Sequence, residues 1–147
     1  MWLVPHTPQS KVLHRLFQHE RHAFLIKEDI LKPRLLGENL SIAYNALHES
    51  QDDAVLYAHW FGHPVPPGVA TAMVFQVRIW DRLYHHLNQL RDDVNNPDLF
   101  TKTAESVRCY AIGAGDLARF LIDAINHPLQ RPDEARLRRI VRELDVL

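Results

Sequence analysis

Apolar residues recur along this chain at three- and four-residue intervals, with polar residues filling the opposite side. That pattern predicts helices that each bury one stripe. From Ser10 to Leu31, the residues Val12, Leu13, Leu16, Phe17, Ala23, Phe24, Ile30 and Leu31 fall on one face at ~100° per residue, and Pro33 stops the run. A second helix is expected over Arg34–Glu49, with Leu36, Leu40, Ala43 and Leu47 inward. Ser50 then reads as an N-cap, with Asp52 and Asp53 at the positive end of a short helix that Gly62 ends.

HPVPPG at 63–68 is the clearest turn. A long helix follows, from Pro67 to Asp93. Asn96-Pro97 supplies the cap and first-turn pair of another helix, which runs to Asn126, and Pro132–Leu144 forms the last. No period-2 segment of useful length interrupts these, so the expected fold is all-α: a helical bundle of about five to six helices, two of them long. At 147 residues the chain fits one domain, spanning 1–147, with 1–9 as an extended arm.

Composition narrows the function classes. Seventeen basic residues stand against eighteen acidic ones, so no net field draws in nucleic acid, which is not favoured as a partner. The longest mostly apolar run, GVATAMVFQV, is half of the ~20 residues a membrane span needs. The first residues lack the marks of a signal peptide. One cysteine excludes an internal disulfide and a multi-cysteine zinc site, so a cytoplasmic chain without membrane contact is expected. Arg108 beside Cys109 would favour a thiolate, but no histidine–acid constellation accompanies it, and an idle thiol is expected.

Ten histidines are an unusual total and direct attention to particular positions. On the long helix, Val77, Ile79, Trp80, Leu83, Tyr84, Leu87, Leu90 and Val94 share an apolar arc, with His86 at its edge. Arg78, Asp81, Arg82, His85, Asn88, Gln89 and Asp92 lie opposite. Arg78 and His85 are seven apart, on one face and about 10 Å apart along the axis. This spacing resembles the Arg-x(4–6)-His signature of HEPN-domain ribonucleases, which are also helical bundles, and the likeness covers eight residues. The resemblance implies metal-free RNA cleavage across a dimer, with His85 moving protons and Arg78 stabilising phosphate charge. A solvated face laced with i,i+4 pairs such as Asp81–His85 has the same look.

Two charges interrupt the apolar stripe of the first helix: Glu20 and Lys27, seven apart. Such a break marks a partner surface, a site, or a local ion pair. Together with Asp81 and Arg82 they are the candidate interaction residues. His19 and His22 are expected on the polar side. His59 and His63 have metal-ligand spacing, but nothing completes a coordination sphere, so no metal or other cofactor is favoured.

YAIGAGDLA at 110–118 calls either for close helix–helix approach or for a break at Asp116. The last helix carries Arg136, Arg138, Arg139 and Arg142 among acids. The function expected is a protein–protein interaction or regulatory module without its own catalysis. Its partner is another protein or a second copy of itself. The HEPN-like ribonuclease and a metal-binding bundle are the alternatives.

Overall fold

The computed structural model describes residues 8–61, 67–127 and 133–145. Every regular element among them is helical: α1 Pro8–Asp29, a 3₁₀ turn Pro33–Leu35, α2 Leu36–Phe61, α3 Pro67–Asp92, α4 Pro97–Asn126 and α5 Glu134–Asp145. The all-α class stands, with four long helices instead of two. Pro67 and Pro97 mark helix starts as expected, and Pro33 opens the 3₁₀ turn that separates α1 from α2. Asn96 accepts a hydrogen bond from the Leu99 amide at 3.3 Å, and Asp133 does the same for the Arg136 amide at 3.0 Å.

The four long helices form a ring in which α1 packs on α2 and α4, and α3 packs on α2 and α4. Each neighbouring pair runs antiparallel. His86 meets Tyr110 while Ile79 meets Gly113. Arg119 meets Glu20 while Ala23 lies against Gly115. The core is built from Leu16 and Ile26 of α1, Ala43 and Ala46 of α2, Trp80, Leu83 and Leu87 of α3, and Leu117, Leu121 and Ile125 of α4, all essentially sealed from water. Helix α5 lays Leu137, Ile140 and Leu144 over α4 and α3.

Three expectations are corrected. First, no break occurs at Ser50: α2 runs through it, and Ser50 and Asp53 are fully buried mid-helix instead of capping a new one. The polar cluster S-Q-D-D faces different ways, so only Gln51 and Asp52 reach solvent. Second, α1 is rotated relative to its sequence stripe. Phe17, Phe24 and Leu31 are exposed, whereas His19 and Ile26 are buried. Residues two apart on a helix point ~200° apart, so Phe24 and Ile26 cannot both face the core, and the aliphatic Ile26 side is the one covered. Third, α4 is unbroken at Asp116, and the close-approach reading of its glycines holds at Gly113. A β-carbon there would lie 2.7 Å from Leu144 and 2.8 Å from Ile79.

Candidate functional site

Glu20 and Lys27 both line a shallow groove of about 240 Å³ between the outer edges of α1 and α4, with Phe24, Ile112, Asp116 and Arg119. Arg119 donates two hydrogen bonds to Glu20, Nε to Oε2 at 2.7 Å and Nη2 to Oε1 at 2.6 Å. This forked geometry is the strong form of the pair, and Glu20 and Arg119 keep 31% and 42% of their side-chain exposure. The same guanidinium lies 5.8 Å from the Phe17 ring. Lys27 sits 5.0 Å above the Phe24 ring and 3.6 Å from Glu28, so its stem covers apolar surface while its head stays wet.

The charged intrusion is therefore a half-buried border. It separates the sealed α1–α4 seam from an open apolar strip. That strip consists of Phe17 at 47%, Phe24 at 55% and, in the turn after α1, Leu31 at 67% exposure, with Ile112 of α4 at 41%. A further groove of about 390 Å³ continues it past Leu31 toward Thr101, Glu105 and Arg108.

Asp116 of the first groove is held above the usual carboxylate range. Partial loss of hydration is the main cause and Glu143 and Glu20 add to it, with Arg136 and Lys27 pulling the other way. The Cys109 thiol is pushed up by burial and Glu105, which outweigh Arg108. It is therefore less nucleophilic than a free thiol at neutral pH.

The other candidates are spread over α3. Asp81 and His85 do meet, Oδ1 to Nε2 at 3.3 Å, with both side chains more than half exposed. Arg78 is held elsewhere, over the Phe75 ring at 5.5 Å. It lines a small cleft with Ile79, Arg82, Tyr110 and Leu144 that does not include His85. His86 packs on Tyr110 and donates from Nδ1 to the Arg82 carbonyl at 2.8 Å. His63 and the side chain of His59 lie outside the described residues, as do Trp2, Leu3 and Val4 of the expected arm. Among the described residues no group of three or more His, Cys, Asp or Glu side chains could hold a metal ion. No helix among them is long and apolar enough to cross a membrane.

A cluster that the sequence pattern did not reveal lies inside the bundle. Arg15 donates from Nη1 to Asp53 Oδ1 at 2.9 Å, and His19 Nε2 stands 3.5 Å from Asp53 Oδ2, with His19 and Asp53 fully buried. The His19 ring tilts against Trp80 across the ring of helices, 5.7 Å between centroids. Both His19 nitrogens, Ser50 Oγ, Asp53 Oδ2, both amide atoms of Gln76 and Trp80 Nε1 find no hydrogen-bond partner among the described residues. The only sequence signal is spacing: Arg15/His19 and Gln76/Trp80 are i,i+4 pairs, and Ser50/Asp53 an i,i+3 pair, each on one helix face.

No family model, curated protein or solved structure matches this chain.

Proposed function

We propose that this chain works as an interaction module without catalysis of its own, taking a helix of a protein partner against the outer face of α1. The observation that carries the reading is the exposed strip Phe17, Phe24, Leu31, bordered by Ile112 and opening onto the α1–α4 groove. Phe17 and Phe24 are seven apart on α1, with Leu31 continuing their line in the turn that follows, and large apolar side chains at such intervals are the anchors of helix-in-groove recognition. Aromatic residues ringed by Arg and other charges have the composition of an interface centre. Three large apolar side chains about half exposed or more at seven-residue intervals offer a partner a line of anchor points between charges. The balanced charge and lone, poorly reactive thiol suit a cytoplasmic binding role and supply no nucleophile.

A photo-crosslinking phenylalanine analogue placed at position 24 in cells tests the reading. The control carries it at Val55, which is 71% exposed on α2. Cross-links to discrete protein partners from position 24, and not from 55, are expected. Equal labelling from both positions, or none from 24, overturns it.

A further inference from the structure

We infer that the occupant of this face is a second copy of the chain, with α1 packed antiparallel on α1 about a two-fold axis at Phe24; the inference rests on the interaction reading above. Four charges surround Phe24. Taking ~100° per residue, Glu20 and Lys27 lie on the α4 side of the strip, where they line the groove, and Arg21 and Glu28 lie on the other side. A two-fold axis perpendicular to α1 reverses the helix direction but sets each flank against the same flank of its mate.

On the α4 flank, Glu20 of one copy comes within one residue, ~1.5 Å of rise, of the level of Lys27 of the other. On the far flank Arg21 comes equally close to Glu28. Each pairing occurs twice by symmetry, and all four are between opposite charges. Along the strip, Phe24 meets its own copy and Phe17 meets the Leu31 end. Among the described residues, Phe17 and Phe24 of α1 and Leu31 of the turn after it are the large apolar side chains that one copy leaves exposed here.

The antiparallel direction also opposes the two helix dipoles favourably, and it is the arrangement of every neighbouring pair of long helices in the fold. A parallel pair would place Glu20 beside Arg21 and Lys27 beside Glu28, so charge mixing separates the two directions. Arg21 and Glu28 are exposed, and Glu28 makes a loose ion pair with Lys27 at 3.6 Å, so both can be changed without touching the core.

The experiment is sedimentation equilibrium on the full chain and on Arg21→Glu and Glu28→Arg, alone and mixed, with far-UV circular dichroism as the check on folding. The wild type is expected to dimerise. Each single variant sets like charges together twice and should weaken self-association roughly tenfold or more. An equimolar mixture of the two variants should associate as well as the wild type, because every antiparallel contact between them is again between opposite charges.

A parallel pair would leave half of those contacts repulsive, so a mixture no better than the single variants overturns the proposed arrangement. As a second measurement, Phe24→Cys in a Cys109→Ser background should form an interchain disulfide under mild oxidant, and failure to do so counts against the axis. A wild type that stays monomeric up to about 0.1 mM overturns the second copy. If position 24 still cross-links to another protein in that case, the interaction reading survives; if nothing is captured at 24, that reading fails too.

Discussion

On the inner side of α1, Arg15 and His19 reach Asp53 in the middle of the bundle; on the outer side of the same helix, Phe17 and Phe24 stand in water. A helix folded only for stability would carry these residues the other way round. The interior cluster takes several polar groups out of water with incomplete hydrogen bonding, which is costly. The exterior strip leaves aromatic area hydrated that burial would stabilise by ~25 cal/mol per Å². The two departures have different uses. Polar groups inside fix which rotation and register of α1 against α2 and α3 is acceptable, because a slipped helix strands Asp53 without its arginine. The aromatic groups outside meet the cations of Lys27 and Arg119 along one edge, and on the proposed reading their open area serves whatever covers them.

The sharpest way to break the comparison is Asp53→Ala, which strips Arg15 of its buried counter-charge and His19 of the carboxylate beside it. Loss of one member of a buried pair costs about 3–5 kcal/mol, and urea denaturation should show it. A loss under about 1 kcal/mol would mean that the cluster is not organising the core. Next, Gln76→Leu exchanges a fully buried amide for an apolar group of similar size. It should raise stability by about 1 kcal/mol in the same assay, and a clear destabilisation would show that the amide has a partner. Phe24→Gln on the outer side should change the stability of the single chain by no more than about 0.5 kcal/mol while weakening the proposed self-association in sedimentation equilibrium. A large loss of stability would make Phe24 a core residue after all.

The smallest effect concerns His22, whose pKa is lowered first by burial, then by His19 and Arg21, against an upward pull from Glu49. The unfolded chain therefore takes up this proton first as the pH falls below about 6.5. The stability contributed by neutral His22 is fully present above that value and is lost as the pH falls toward the folded pKa. His22→Gln should flatten the decline in stability between pH 7 and 5. An unchanged slope would reject the assignment.

The helix ends were legible wherever proline and a capping side chain coincide, as at Asn96-Pro97, because those signals are local. In α5 the arginines leave one apolar stripe to choose, Leu137, Ile140, Val141 and Leu144, and it packs on the core with Val141 only partly buried. In α1 the choice was ambiguous: Phe17, Phe24 and Leu31 compete with Val12, Leu16, Ala23 and Ile26 for the inner side, and the larger side chains lost. Periodicity cannot weigh a histidine that has an aspartate waiting on another helix. Asp53 lies 38 residues from Arg15, and no local rule connects them. For the same reason Glu20 and Lys27 were visible as an anomaly, but the forked bond from Arg119 that explains Glu20 was not. The unbroken run through Ser50 was missed because a serine followed by two aspartates has the chemistry of a cap, and only burial tells that it is not one.

The bond between Glu20 and Arg119 joins residues 99 positions apart. During synthesis, at ~5–20 residues per second, α1 leaves the ribosome roughly 5–20 s before the helix that closes over its edge has been made. Throughout that interval the Ile26 side and the Phe24 side are both bare. Neighbouring ribosomes on one message would then present identical α1 segments to each other before either bundle is complete.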